Sequence, residues 1–228
     1  MKLGQMAAIL LSSWGLGANA SPWSQEEGSV YARIAWADEE IEQVGAKRAD
    51  MYAEIGVTDS WTATLKLEHV DYAANDSFDS SAWRTTLRRQ VFRRAGFVGS
   101  IEAGVLEGAA IGGRRGCDRL GAEGRIGLGW SGELRGTDTF TFIEAATRQH
   151  EACYRNRLEL GLGQRATERI WLVTQLWSER GDEDAISDKS QIDLVWRGDG
   201  FDFTISYREE LSGAFEETGV VFSVAAHY

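Results

Sequence analysis

Apolar residues recur at every second position in one segment of this chain after another. "VYARIAW" sets Val30, Ala32, Ile34 and Trp36 against Tyr31, Arg33 and Ala35. "WTATLKLE" sets Trp61, Ala63, Leu65 and Leu67 against Thr62, Thr64, Lys66 and Glu68. "MYAEIGV", "FVGSIEAGV", "LGAEGRIGLGW", "RLELGLG", "QIDLVWR" and "FDFTISYR" repeat the pattern. A period of two is that of a strand with one apolar face, and no helical period of any length competes with it. The single proline, Pro22, precedes the first such segment, as long ladders require, because proline deletes a donor.

Three segments are less regular. In "WRTTLRRQVF" the apolar set Trp83, Leu87 and Val91 carries Arg89 with it. In "FTFIEAATR" the alternation is expected to slip between Phe142 and Ile143, as a bulge would allow. "RIWLVTQLWSE" is apolar on both faces, which leaves its inward side open. With the last segment, "GVVFSVAAHY", the count is about twelve strands.

The connections point to a class. Taking the chain to start on the inner side, the odd connections are "ADEEIEQVGA", "AANDSFDSS", "EGAAIGGRRG", "QHE", "RGDEDAISD" and "ELSGAFEE", mostly long and acidic. The even ones are shorter and richer in arginine: "TDS", "RRAG", "SGELRG", "RATER" and "RGDG". Long outer loops, short inner turns and an even strand number are the layout of an outer-membrane barrel. The sequence has no run of about 18 apolar residues that would make a spanning helix. Strands cross hydrocarbon only as a closed sheet, since lipid satisfies no backbone group. Seven outward aromatics, Trp36, Trp61, Trp83, Trp130, Trp196, Tyr207 and Tyr228, are expected near strand ends, where interfacial belts form. The predicted fold is all-β, a transmembrane antiparallel up-and-down barrel. A soluble periplasmic sandwich or lipocalin-like barrel would also alternate, but has no need of unequal connections.

Residues 1–20 have one early lysine, an apolar stretch from about Met6 to Leu16 and the site Ala18-Asn19-Ala20. That is a secretory signal peptide, expected to be removed to leave a barrel domain of residues 21–228. The last strand, with Phe222, Val224, Ala226 and Tyr228 on one face, resembles the C-terminal strand of Gram-negative outer-membrane β-barrel proteins. The resemblance implies location in the outer membrane, contact with its lipid and lipopolysaccharide, and recognition of those four residues by the barrel-assembly machinery. Size and strand count look like the small twelve-stranded channels for acidic oligosaccharides.

The formal charge is −11, which argues against nucleic acid as a partner. Alternation turns Arg33, Lys66, Arg84, Arg88, Arg119, Arg125, Arg157 and Arg208 inward, together with Glu54, Glu102 and Glu123. Apart from Arg119, a residue near a strand end, these are the pore-lining candidates. They would either set an ion preference, as charged rings do in channels, or pair across strands and fill the interior. Arg84 and Arg88 are the foremost candidates, because their own strand offers no inward acid. The net acidity would then reside in the outer loops, at Asp38, Glu39, Glu40 and Glu42 and at Asp182, Glu183, Asp184 and Asp188.

Cys117 and Cys153 are the only cysteines. An exported chain meets an oxidising compartment, so they form a candidate disulfide, although two sheet spacings separate their strands. His69, His150 and His227 are the only histidines, and none stands beside an obvious nucleophile in the sequence. No catalytic residue, metal site or cofactor is assigned. The expected function is passive passage of small polar or anionic solutes, or of a glycan strand. Alternatives are a plugged barrel for envelope structure or export, and a lipid-modifying hydrolase, which would need His69 or His150 beside a serine or an acid.

Overall fold

A computed structural model describes residues 22–74, 76–108, 118–151, 153–182, 186–213 and 215–228. The strands are β1 (Val30–Ile41), β2 (Val44–Thr58), β3 (Trp61–Tyr72), β4 (Ser80–Arg94), β5 (Phe97–Gly108) and β6 (Gly121–Leu134). They continue as β7 (Thr137–His150), β8 (Tyr154–Arg165), β9 (Ile170–Gly181), β10 (Ile186–Arg197), β11 (Phe201–Gly213) and β12 (Glu217–His227). Each pairs antiparallel with its chain neighbour, and β12 returns to β1, closing a twelve-stranded barrel. The closing ladder runs from Tyr31↔His227 to Ile41↔Glu217. Val30 and Tyr228 exchange both backbone hydrogen bonds at 2.9 Å, so the last residue completes the seam.

The outward face carries Ile34, Ile55, Leu65, Ile101, Leu128, Leu160, Ile192 and Phe222, among many other exposed apolar side chains. Exposed apolar residues around a whole closed sheet make a lipid-facing belt rather than a single docking patch. At the inner end, Arg89 lies 5.3 Å from the Trp61 ring centre and Arg169 lies 6.0 Å from that of Trp196. A guanidinium over an interfacial indole keeps its charge near water while its stem covers apolar surface. This accounts for Arg89 on the apolar face. Trp36 and Tyr207 depart from the expected placement: they lie mid-strand.

The connections are more even than the sequence suggested. The predicted first outer loop, residues 37–46, is mostly strand: β1 and β2 pair up to Ile41↔Val44. Only Glu42 and Gln43 turn, with φ of 51° and 65°, the two positive values of a type I′ hairpin. Glu39 is therefore no loop residue. It points into the barrel, 2% exposed. Only the outer connections 73–79 and 109–120 are long, while 151–153 and 214–216 are as short as inner turns.

Two further expectations need correction. No register shift occurs between Phe142 and Ile143 in either ladder of β7. The alternation is unbroken, and Phe140 and Phe142 face inward, fully buried. Irregularities lie instead in β4 between Gln90 and Phe92, in β2 between Gly56 and Thr58, and in the β10–β11 ladder at Asp188 and Lys189. Arg119 does not face inward either. It precedes β6 and forms an exposed pair with Glu151 at 2.8 Å. In β9, left undecided by sequence, Trp171, Val173 and Gln175 turn inward and Leu172 and Leu176 turn out. Cys153 is buried just before β8, while Cys117, Glu183 and Asp184 lie outside the described residues.

Candidate functional site: the barrel lumen

The lumen divides into two levels. The outer level is charged. Arg48 on β2 bridges Glu39 at 2.8 Å and Glu217 at 3.6 Å, and also pairs with Glu68. Lys66 holds Glu68 at 2.7 Å and Asp50 at 3.2 Å, and Arg33 meets Asp50 at 2.9 Å. Arg208 reaches Glu39 at 3.3 Å, and Lys189 holds Glu210 at 3.2 Å and pairs with Glu217. On the opposite wall Glu123 receives Arg84 at 2.8 Å and Arg125 at 3.0 Å, and pairs with Arg148. Arg157 contacts Glu159 at 3.0 Å and Glu179 at 2.9 Å. Register produces these clusters: alternation places all inward charges on one surface, and ladder pairs such as Glu123↔Arg148 set them at one height.

The inner level is mostly closed. Phe140, Phe142, Trp171, Val173 and Val195 form an apolar cluster inside the barrel. The two Phe rings lie flat on glycines: a Cβ at Gly163 would come within 1.8 Å of Phe140, and one at Gly161 within 2.1 Å of Phe142. Both pairs are direct ladder partners. The segment Pro22–Gln25 folds into the barrel beside this cluster. Trp23 packs edge-on to Phe140 with ring centres 6.2 Å apart. Its carbonyl accepts a bond of 3.0 Å from Arg88. Gln25 donates to Glu54 at 2.5 Å, and its backbone N–H donates to the Thr62 hydroxyl at 2.8 Å. Arg88 is the centre of this level, with Glu54 at 2.9 Å, Glu102 at 2.8 Å and the Tyr52 hydroxyl at 3.2 Å. It is 1% exposed, which a side chain in a water-filled pore would not be.

Every pore-lining candidate named from the sequence points inward, but none stands alone. Arg84 and Arg88 lack an acid on their own strand and take theirs from β2, β5 and β6. Sequence reasoning missed Arg48, Glu39, Asp50, Glu179, Lys189 and Glu217. Continuing the alternation of β2 backwards from Glu54 through Tyr52 would have reached Asp50 and Arg48. His150 accounts for one ring nitrogen with the Arg119 carbonyl at 2.7 Å, and His227 meets Asp202 at 3.1 Å.

A vestibule with a cavity of about 130 Å³ occupies the outer level. Its lining includes the cations Arg48, Lys66, Arg84, Arg125, Arg148, Arg157, Lys189 and Arg208, against the carboxylates Glu68, Glu107, Glu159 and Glu179. Trp177 stands in this wall between two guanidinium groups, Arg157 at 5.2 Å and Arg208 at 5.5 Å from its ring centre. Behind this lining Glu39, Asp50, Glu123, Glu210 and Glu217 pair with the same cations, so the interior is close to charge-balanced and only the surface of the vestibule is richer in basic groups.

A closed, lipid-belted barrel with a charged interior defines an outer-membrane β-barrel protein. No family model matches the sequence, and no curated protein matches it. Solved structures share the architecture. The COG4313 outer membrane channel from Pseudomonas putida F1 superposes with TM-score 0.64 at 8% identity, over 92% of this chain and 99% of that one. The NanC porin gives 0.59 at 8% identity, over 85% and 98%. The KdgM porin in complex with disordered oligogalacturonate gives 0.57 at 10% identity, over 85% and 98%. The common ground is the fold, a barrel of the Gram-negative outer-membrane type.

Proposed function

We propose that this protein is an outer-membrane channel for small anionic solutes, acidic oligosaccharides among them, held closed here by its own residues Pro22–Gln25. The basic side chains that line the vestibule carry the reading. Its surface shows eight basic side chains against four acids, and an anionic solute would compete with Glu39, Glu123 and Glu217 for those cations. Trp177 between two arginines offers a flat face and donors of the kind a sugar acid uses. The KdgM porin, which holds oligogalacturonate, shares the barrel architecture and supports this class of solute. The closing segment belongs to no strand, so it can leave without breaking a ladder. In this reading the lumen does no catalysis. The chain is exported by residues 1–20, read by the assembly machinery at Phe222, Val224, Ala226 and Tyr228, and seated among outer-membrane lipid and lipopolysaccharide.

The test is planar-bilayer conductance under a salt gradient, comparing the wild-type chain with a variant lacking residues 21–25. The expected result is a mostly closed wild type and an open, anion-biased variant, whose current trigalacturonate reduces from the outer side. Lys66→Glu with Arg157→Glu should shift the reversal potential towards cations. A folded, heat-modifiable variant without conductance would overturn the channel and leave a plugged structural barrel.

A further inference from the structure

Near the outer ends of β3 and β4, His69, Asp71 and Ser81 stand on the outward face where alternation calls for apolar side chains. His69 on β3 and Ser81 on β4 are ladder partners, and both face outward. His69 Nδ1 lies 2.7 Å from Ser81 Oγ, and Nε2 lies 2.8 Å from Asp71 Oδ1. A carboxylate only accepts. Asp71 therefore keeps the ring proton on Nε2 and leaves Nδ1 to accept from the Ser81 hydroxyl. This is the nucleophile, base and orienting acid of acyl transfer, linked in order.

We propose that Ser81, His69 and Asp71 form a serine esterase centre for lipid acyl esters at the outer membrane surface, separate from the lumen. Its position fits that substrate. His69 lies eight residues above Trp61, the first residue of β3. At roughly 3.3 Å per residue and about 40° of tilt, that is ~20 Å of height, close to the ~25 Å of an outer-membrane apolar band. With Trp61 at the inner interface, Ser81 stands near the outer one, where glycerol esters lie. One step below the triad, four neighbouring strands set apolar side chains side by side. The row Ile34↔Met51↔Leu67↔Trp83 is read directly from the ladders. These residues and the triad's His69 and Ser81 line one shallow groove, with apolar surface for an acyl chain and the nucleophile at its polar end.

The chemistry balances with water alone. Ser81 Oγ attacks the ester carbonyl as its proton passes to His69 Nδ1. Collapse breaks the carbonyl–oxygen bond of the ester, and His69 returns the proton to the departing alcohol. Water, deprotonated by His69, then hydrolyses the acyl-serine, releasing a fatty acid and restoring Ser81.

The test uses the full folded chain in mixed micelles of detergent and palmitoyl-oleoyl phosphatidylglycerol, with fatty acid release as the readout. Hexadecylsulfonyl fluoride serves as a serine label, located by mass spectrometry. Wild type should release fatty acid and carry the label on Ser81. Ser81→Ala and His69→Ala should lower release by ~100-fold or more, as removal of a triad nucleophile or base does. Asp71→Asn should lower it less than either. All three residues are exposed, so the variants should remain heat-modifiable. Release no faster than from protein-free micelles would overturn the proposal. So would a Ser81→Ala variant as fast as wild type, which would make the hydrogen-bonded trio a surface ornament of the strand end.

Discussion

Replacing Arg88 with methionine tests whether the inner level of the lumen is packed or wet. Methionine keeps most of the stem volume and removes the guanidinium. Glu54 and Glu102, now 2.9 and 2.8 Å from the charge, would lose their shared cation while remaining buried. The Tyr52 hydroxyl and the Trp23 carbonyl would each lose a donor. Breaking a buried pair from one side costs ~3–5 kcal/mol, mainly through the stranded charge. A hydrated pair costs only ~0–1 kcal/mol. The gap is more than tenfold in the unfolding equilibrium, at about 1.4 kcal/mol per decade. The assay is urea unfolding of protein reconstituted in lipid vesicles, followed by tryptophan fluorescence. Adding Glu54→Gln and Glu102→Gln to Arg88→Met should recover a large part of the loss, because neutral amides strand no charge. A loss under about 1 kcal/mol for the single variant would refute the packed lumen and with it the closed state.

Three further outcomes follow from local geometry. Gly163→Val puts carbon where the Phe140 ring lies, 1.8 Å from the ideal Cβ; overpacking of this kind costs ~1–3 kcal/mol, readable as a lower urea midpoint. Replacing Glu42-Gln43 by Asn-Gly should raise the same midpoint by ~0.5–1 kcal/mol, since both residues sit at positive φ and glycine does so without strain. Intact-mass analysis of the exported protein should find Cys117 and Cys153 bonded, about 2 Da lighter than after reduction; an unchanged mass on reduction would remove the disulfide.

Strand number, inward parity and the lipid belt were legible because a period of two is a property of the sequence itself. Arg33, Glu54, Glu102 and Glu123 could be assigned to a face without coordinates. Turns were less legible. "ADEEIEQVGA" is polar enough for a loop, yet Glu39 is satisfied by Arg48 and Arg208 inside the barrel, so the ladder runs on. Phe140 and Phe142 misled for the opposite reason. By alternation apolar residues belong to lipid, but a lumen can be apolar where something fills it, and what fills it is Trp23, more than a hundred residues away in the chain. What sequence could not supply was register, which alone sets Ser81 opposite His69.

The seat of the closing segment is itself written into β6. Gly127 and Gly129 face the lumen there: a Cβ at Gly129 would come within 2.7 Å of Pro22 and 2.8 Å of Trp23, and one at Gly127 within 3.0 Å of Pro22. The obstructing atoms differ in kind from those at Gly163. Phe140 is anchored in a strand and cannot withdraw, whereas Pro22 and Trp23 precede β1 and can. Gly129→Val should therefore release the segment and leave the urea midpoint of the barrel within about 1 kcal/mol of wild type, since strain that can relax is not stored in the fold. A cysteine in place of Ser24, next to Trp23, then reports the state, its maleimide labelling slow in an otherwise unchanged chain and fast when Gly129→Val is added. Conductance should rise in step with labelling if the segment is the gate. Equal labelling rates with and without the valine would mean that Trp23 is held by something other than its fit to β6, and the reading of those glycines as a docking site would fail.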